Sequence, residues 1–373
     1  MRAVIPFPGA PKCWRFRALS RHCIALAAML CALSLCGPHV HATDISEIPR
    51  GVYNLPAPGK PVADGILTNP LVAGVAVRWT WPAVEGSEGT YKWSYFDEQI
   101  ARVGRAGKKA LLRITAGGKN TPSWVFNAGV QTFSFVDSEP YSPTYKQTVT
   151  IPVFWDSIFM AKKKSFIAAM GQHFADNPHV ALVAVMCANA TTDDWHVPST
   201  KTDVENWKAI GYTSDKLINA CKKTVDATMT AFPNQVVVLA VSRSSNKLDP
   251  TPDYVANAVV DYALQTYPGR FIVQKHSLSA DTPDPAILPV LGAWQIIYDN
   301  HPAVAGQMLW FVTNDSTCRM NGGVKPCDPA TVLLDAVATG ANYGMLYQEI
   351  YQQDILNPAL ADVINYAARM MRP

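Results

Sequence analysis

Short apolar runs rich in β-branched residues alternate with longer amphipathic stretches along most of the chain. The short runs predict buried strands, and apolar positions spaced three and four residues apart predict helices. The predicted strands are Gly51–Leu55, Val72–Trp79, Ala110–Thr115, Val180–Ala188, Val236–Val241, Phe271–Ser277, Val304–Val312 and Tyr343–Tyr351. The predicted helices are Tyr95–Ala106, Ser157–Phe174, Ser214–Ala231, Pro252–Thr266, Pro285–Tyr298, Pro329–Thr339 and Pro358–Met371.

Strands that alternate with helices of this length predict right-handed βαβ units and a parallel sheet. Eight such units close a (β/α)8 TIM barrel, whose loops at the carboxyl ends of the strands carry the chemistry. The alternative is an open doubly wound sheet, but no Gly-rich fingerprint follows any strand, which disfavours its nucleotide-binding version. We therefore predict an α/β fold of the TIM-barrel type. The segment Asn127–Pro152 departs from the rhythm, and we expect it to shape a binding cleft.

The first 42 residues have the composition of a secretory signal peptide. An apolar run of fourteen residues, Cys23–Cys36, follows five basic residues and no acidic one. Val40-His41-Ala42 then provides small side chains where a signal peptidase cleaves, so we predict cleavage after Ala42 and one barrel domain over residues 43–373. The run is shorter than the roughly 20 residues of a spanning helix. The expected location is secreted or periplasmic, with no membrane span in the mature chain; a retained signal anchor is the alternative.

Removal of the leader changes the charge of the chain. The whole sequence has 32 Lys+Arg and 29 Asp+Glu. Without the five basic residues of the leader, 27 basic residues face 29 acidic ones. A nucleic-acid surface would show clustered Lys and Arg on a strongly basic domain, and the mature chain shows none, so we expect no nucleic-acid partner.

Four cysteines remain after the leader, an even number in an oxidising compartment. Cys318 and Cys327 bracket a turn-rich loop, and we predict that a disulfide closes it. Cys187 and Cys221 are consistent with a second disulfide or with two buried thiols. No C-x-x-C pair occurs and the histidines are scattered, so we expect no metal site.

The segment Arg78–Asp97 is the richest in candidate site residues. Its pattern, R-x-x-W-x-x-x-E-x-x-x-G-x-Y-x-W-x-x-x-D, resembles the second strand and helix of retaining β-glycosidase barrels, especially β-galactosidase-like ones. Lys108–Ile114 and Pro122–Trp124 resemble the third strand and the P-x-W loop of those families. The resemblance implies a (β/α)8 glycoside hydrolase that acts on an oligo- or polysaccharide without a cofactor.

Such an enzyme needs two carboxylates across the glycosidic bond, of which one donates a proton to the leaving oxygen. In the families that the chain resembles, the acid is a Glu directly after an Asn that ends the fourth strand. Here Asn189 is followed by Ala190, and the nearest carboxylates are Asp193 and Asp194. Because Trp195 would desolvate a neighbouring carboxyl group and raise its pKa, we expect Asp194, or else Asp193, to be the acid.

The families place the nucleophilic Glu at the end of strand seven, whereas this chain has Asp315 beyond that strand and Glu349 on strand eight. We favour Glu349 as the nucleophile over Asp315. A structural Glu349 that pairs with Arg78 or Arg113 is the competing interpretation.

Aromatic and polar residues near strand ends complete the predicted site, because the apolar faces of sugar rings stack on indole. The residues predicted to position the sugar are Arg78, Trp124, Trp155, Asp156, Asn189 and Trp195. The alternative to an exported glycoside hydrolase is a non-catalytic carbohydrate-binding barrel that has lost its acid, which Ala190 motivates.

Overall fold

The computed structural model describes residues 44–242, 247–290 and 292–372. The predicted signal peptide, residues 1–42, lies outside the described residues. Ten strands are present in the described part: β1 (Gly51–Leu55), β2 (Val72–Thr80), β3 (Lys109–Thr115), β4 (Thr132–Val136), β5 (Thr148–Pro152), β6 (Val180–Val185), β7 (Val236–Val241), β8 (Phe271–Leu278), β9 (Val304–Met308) and β10 (Tyr347–Tyr351).

Eight of these strands close into a parallel barrel in the order β1-β10-β9-β8-β7-β6-β3-β2. The closed parallel barrel confirms the predicted TIM-barrel class. Gly74–Thr80 of β2 pairs residue by residue with Lys109–Thr115 of β3, whereas the register shifts within the pairs β1–β2, β3–β6 and β8–β9. The strands of such a barrel are covered on both faces, which explains why β6 and β7 are apolar and buried at every position.

Helices cover the outside of the barrel. They are α1 (Asp64–Thr68), α2 (Trp81–Val84), α3 (Ser94–Arg105), α4 (Ser123–Asn127), α5 (Ser157–Phe174), α6 (Lys201–Ala209), α7 (Ser214–Ala231), α8 (Tyr254–Thr266), α9 (Trp294–Asp299), α10 (Pro329–Asn342), α11 (Gln352–Ile355) and α12 (Ala361–Met370), with 3-10 turns at Arg319–Asn321 and Pro358–Leu360. The described part of the chain lies in one compact unit. No described helix is both long and apolar enough to cross a membrane.

Local sequence sets the helix boundaries. In α3 the apolar residues Phe96, Ile100 and Val103 lie at helical spacing and are buried. The carboxylate of Asp156 caps α5 by accepting the Phe159 backbone N–H at 2.8 Å. The helix α7 begins at Ser214 as predicted, and the side chain of its N-cap, Thr213, accepts the Lys216 backbone N–H at 3.2 Å.

Several predicted elements are shorter than expected, and in one of them proline and glycine interrupt the helix. The predicted helix Pro285–Tyr298 forms only over Trp294–Asp299. Pro289 has no backbone N–H for a helix interior, and Gly292 adopts a left-handed φ of 60°. The predicted strand Val304–Val312 ends at Met308, and the remainder is a loop that leads to the cleft described below.

The segment Asn127–Pro152 contains an antiparallel hairpin made of β4 and β5, whose strands pair from Thr132–Pro152 to Val136–Thr148. Its loop extends over the carboxyl end of the barrel, where Tyr141 lines the cleft. The sequence predicted that this excursion borders a cleft but did not predict its hairpin.

Two disulfides are present in the described part of the chain. Cys187–Cys221 joins the segment after β6 to α7, with a Cα–Cα distance of 5.1 Å. Cys318–Cys327 closes the loop after β9, as predicted, with a Cα–Cα distance of 5.8 Å.

A buried lysine on α5 fixes the same segment after β6. The Lys163 Nζ donates to the backbone oxygens of Met186 at 2.6 Å and Cys187 at 3.3 Å. Burial lowers the pKa of Lys163 from 10.5 to about 7. The amine therefore fixes the backbone after β6, and its burial disfavours the charged form.

We predict that Lys163 makes stability depend on pH. The unfolded chain keeps the lysine proton up to its usual pKa, so unfolding between about pH 7 and 10 takes up one proton and the free energy of unfolding rises with pH. Between pH 7 and 9, the free energy of unfolding measured in urea should rise more steeply in the wild type than in Lys163→Met, by about 1.4 kcal/mol per pH unit. The exposed neighbour variant Lys164→Met should follow the wild type, whereas parallel curves for wild type and Lys163→Met would contradict the prediction.

Candidate active site

A cleft of about 390 Å³ opens at the carboxyl ends of the barrel strands. Side chains from β2, from β8 and from the loops after β3, β6 and β9 line it, together with the hairpin loop. Active sites of TIM barrels lie at this end, because eight strands direct their following loops toward one place. We therefore take the cleft as the candidate active site.

An ion pair between Arg113 and Glu349 lies beneath the cleft. The two groups are bidentate, with Nη1–Oε2 at 2.9 Å and Nη2–Oε1 at 2.5 Å. Their side chains are 1% and 0% exposed. Glu349 is absent from the residues that line the cleft. The pairing of Glu349 with Arg113, one of the interpretations from sequence, is therefore present in the structure.

Two glutamines complete the hydrogen bonds of this pair. Gln307 accepts from Arg113 Nη1 at 2.8 Å. Gln274 accepts from Nη2 at 3.1 Å and donates to Glu349 Oε1 at 2.7 Å. Although burial alone lowers the pKa of Arg113, the charges of Glu349 and Asp193 raise it above its usual value. The guanidinium is therefore permanently charged.

Asp193 lies above this pair and lines the cleft. Its Oδ2 is 3.3 Å from Arg78 Nη1 and 3.6 Å from Arg113 Nη1, and its Oδ1 is 3.9 Å from His276 Nδ1. Burial opposes ionisation, but Arg78 and Arg113 outweigh it and hold the pKa of Asp193 well below its usual value. Asp193 is thus an ionised carboxylate, 19% exposed, that faces the cleft.

Arg113 Nη1 fixes how far apart Asp193 and Glu349 can be. This nitrogen is 3.6 Å from Asp193 Oδ2 and 2.9 Å from Glu349 Oε2, so the two oxygens cannot be farther apart than the sum of these distances. The carboxylates of Asp193 and Glu349 therefore lie close together, but only Asp193 lines the cleft.

Asp194 also lines the cleft but has the opposite electrostatic environment. Burial raises the pKa of Asp194, and the neighbouring charge of Asp193 adds to this rise. Thr192 donates a hydrogen bond to its carboxylate, which partly offsets the effect. Trp195 is 2% exposed and also borders the cleft, as the sequence predicted for a desolvating neighbour.

The loop that carries both aspartates is closed at its base. Ala190 N–H donates to His196 O at 3.0 Å, and His196 N–H donates to Ala188 O at 2.6 Å. Asn189 is buried, and its Nδ2 donates to Thr192 O at 3.3 Å. Asn189 therefore holds the loop from below and does not line the cleft. Ala190 is fully buried at the position where the families that the chain resembles have their acid.

Three residues predicted to position the sugar lie away from the cleft. Trp124 donates from Nε1 to Glu85 O at 3.0 Å and packs edge-on against Trp81. Trp155 packs against Trp207 with ring centroids 5.6 Å apart. Asp156 caps α5. Their contacts are structural, and only Arg78 and Trp195 of the six predicted sugar-binding residues line the cleft.

Several residues that line the cleft were not predicted from the sequence, among them Lys275, Tyr141 and Arg319. Lys275 lies in the polar run Gln274-Lys275-His276 inside an otherwise apolar strand, which was the available signal. The other two lie on long loops whose path the sequence does not specify. Among the described residues, no group of three or more His, Cys, Asp and Glu lies together in a way that could hold a metal ion.

Comparison with known families places this cleft in context. Residues 72–226 match the glycoside hydrolase 42 family model, described as beta-galactosidase. The resemblance to β-galactosidase-type glycoside hydrolases is confirmed. The matched segment contains Arg78, Arg113, Asp193 and Asp194 but ends before Glu349. It supports a glycoside hydrolase as the class of enzyme.

Solved structures of glycoside hydrolases share the fold. The catalytic domain of a β-amylase from Paenibacillus polymyxa has a TM-score of 0.53 at 12% identity, covering 89% of this chain and 100% of its own. The β-galactosidase from Rahnella sp. R3 has a TM-score of 0.51 at 11% identity over 88% of this chain. The β-galactosidase from Halorubrum lacusprofundi has a TM-score of 0.51 at 11% identity over 85% of this chain. This chain spans 58% of the length of each β-galactosidase. No curated protein matches the sequence.

We predict that Arg113 is required for the stability of the barrel. Arg113→Met leaves Glu349 buried without its counter-charge, which typically costs about 3–5 kcal/mol. Urea unfolding should show this loss, while the exposed control Arg105→Met should differ from wild type by less than about 0.5 kcal/mol. The double variant Arg113→Met/Glu349→Met should recover part of the loss. A cost below about 1 kcal/mol for Arg113→Met would show that the pair is not essential.

Proposed function

We propose that the protein is an exported glycoside hydrolase that cleaves O-glycosidic bonds of an oligo- or polysaccharide bound in the cleft. The observation that carries the proposal is the pair Asp193 and Asp194. Both carboxylates line one cleft, and their environments move their pKa values in opposite directions. Two carboxyl groups that differ in this way supply the acid and the ionised carboxylate that glycoside hydrolysis needs.

Asp194 is the proton donor in this proposal. Its raised pKa keeps the carboxyl protonated to a higher pH than an ordinary aspartate, so a proton is available for the leaving glycosidic oxygen. The leaving sugar departs with that proton. The deprotonated Asp194 then accepts a proton from the water that completes hydrolysis.

Asp193 is the ionised carboxylate. Arg78 and Arg113 keep it charged, and its negative charge stabilises the positive charge that develops at the anomeric carbon. Because two guanidinium groups fix its position, the carboxylate needs little reorganisation when the sugar reacts.

We assign Glu349 a positioning role instead of the nucleophilic role expected from sequence. Its side chain has no exposed surface, and both of its oxygens accept hydrogen bonds from Arg113. A nucleophile must reach the anomeric carbon, and Glu349 does not border the cleft. Its contribution is to hold Arg113 against Asp193.

The sugar-binding surface consists of aromatic side chains around these aspartates. Trp195, Trp310, Tyr351 and Tyr141 line the cleft. Their apolar ring faces suit the C–H faces of sugar rings, and their polar ends suit the hydroxyl groups. This surface supports an oligo- or polysaccharide as the partner.

We predict that hydrolysis depends on both aspartates. In a panel of nitrophenyl glycosides and polysaccharides, the mature chain should turn over at least one substrate. Asp194→Asn should lower kcat by about 10²–10⁴-fold because it removes the acid, and Asp193→Asn should cause a loss of similar size. Leaving groups that need no protonation should restore much of the rate in Asp194→Asn only.

The matched control is Asp335→Asn, on the exposed face of α10, which should retain wild-type kcat. Wild-type turnover that survives in Asp193→Asn and Asp194→Asn would refute these assignments. Binding of an oligosaccharide with no turnover of any substrate would refute the hydrolase and favour the carbohydrate-binding barrel that Ala190 suggests.

We predict that the leader directs export and is removed after Ala42. When the full chain is expressed in a bacterium with a general secretory pathway, the protein outside the cytoplasm should begin at Thr43 by N-terminal sequencing. A chain that lacks residues 1–42 should stay in the cytoplasm. Recovery of an exported chain that keeps its first 42 residues would instead indicate a signal anchor.

A further inference from the structure

The loop after β9 holds an arginine in a fixed position at the edge of the cleft. Asp315 accepts hydrogen bonds from the backbone N–H groups of Thr317 and Arg319, both at 2.9 Å. The Cys318–Cys327 disulfide closes the same loop. Asp315, the alternative nucleophile considered from sequence, therefore serves to shape the loop that presents Arg319.

Aromatic rings hold the guanidinium of Arg319. Its central carbon lies 3.9 Å from the ring centroid of Tyr141 and 4.6 Å from that of Trp310. Both rings belong to the wall of the cleft. Contacts over ring faces restrict a planar guanidinium while leaving the N–H donors at its edge available to a planar anion.

Within the described residues, no oxygen accepts a hydrogen bond from this guanidinium. Glu139 Oε1 lies 3.7 Å from Nη2 and forms an ion pair with Arg319, but it is beyond hydrogen-bond distance. The Glu139 side chain is 44% exposed, whereas that of Arg319 is 16% exposed. Guanidinium donors without a hydrogen-bond acceptor, on a residue that lines the cleft, suit an incoming anion.

The charge of the whole cleft favours the same kind of ligand. Four cationic side chains line it, Arg78, Lys119, Lys275 and Arg319, against the three carboxylates Glu139, Asp193 and Asp194. Arg78 is engaged by Asp193, and Arg319 forms an ion pair with Glu139. The remaining excess is positive and attracts anionic ligands.

We infer that the cleft takes a glycan that bears anionic groups, and that Arg319 binds one of these groups and sets this specificity. The inference rests on the proposed function, since it assumes that the cleft holds the glycan. The carboxylate of a uronic acid presents two coplanar oxygens that match the guanidinium edge, and a sulfate ester presents comparable oxygens. A neutral sugar offers only hydroxyl groups at the same position.

Binding of matched trisaccharides tests the inference. Neutral trisaccharides of gluco, galacto and manno configuration are compared with counterparts that carry a carboxylate in place of each C6 hydroxymethyl group, or a 6-sulfate. Calorimetry uses the mature chain with Asp194→Asn throughout, so that turnover does not interfere. At least one acidic trisaccharide should bind with an affinity about tenfold or more above that of its neutral counterpart. Whichever acidic series binds more tightly, carboxylate or sulfate, identifies the group that the cleft recognises.

Variants of Arg319 assign the residue. Arg319→Gln should weaken binding of the acidic trisaccharide by about tenfold and leave the affinity for its neutral counterpart unchanged. Arg319→Lys should retain part of the preference, because it keeps the charge but loses the planar fork. The control Arg105→Gln, on the exposed end of α3, should bind like the parent chain.

Two results would overturn the inference. One is that no acidic trisaccharide binds more tightly than its neutral counterpart. The other is an equal loss of acidic and neutral binding in Arg319→Gln, which would indicate a role in loop structure only. If the wild type hydrolyses neutral glycans and shows no preference for acidic ones, this inference is refuted and the proposed hydrolase function stands. If acidic glycans bind preferentially but none is hydrolysed, the inference stands and the proposed hydrolase function is refuted.

Discussion

The bidentate ion pair between Arg113 and Glu349 is the interaction around which the carboxyl end of the barrel is organised. Removing two charges from water is costly, and the pair is tolerated because further hydrogen bonds satisfy it. Gln274 and Gln307, from two other strands, provide these bonds. Four of the eight barrel strands therefore meet in one polar network, and a change in any member leaves a buried polar group unsatisfied.

The same network determines the chemistry of the cleft above it. Arg113 faces Glu349 on one side and Asp193 on the other, so its guanidinium places a permanent positive charge beneath the carboxylate that lines the cleft. Arg78 completes the environment of Asp193, while Asp194 has no ion pair within 4 Å in the described structure. The lowered pKa of Asp193 thus originates in two arginines of the barrel strands, whereas burial and the neighbouring charge of Asp193 raise the pKa of Asp194.

Much of the fold could be predicted from the sequence, because each strand of a covered parallel barrel must be apolar on both faces and each helix on one. Site residues were predicted less completely. A tryptophan after a strand, such as Trp124 or Trp155, has the same sequence pattern whether it faces the cleft or a neighbouring helix. The sequence placed Glu349 on strand eight but did not give the depth of its side chain. The contact between Arg319 and Tyr141 joins two long loops, and local sequence does not specify such contacts.

The most direct test is a crystal structure of the Asp194→Asn chain with an uncleaved oligosaccharide in the cleft. Our account predicts that the glycosidic oxygen lies within hydrogen-bond distance of residue 194 and that Asp193 is the carboxylate nearest the anomeric carbon. Glu349 should remain paired with Arg113, without contact to the sugar. A sugar that separates this pair and places the Glu349 carboxylate against the anomeric carbon would contradict the account and restore Glu349 as the nucleophile.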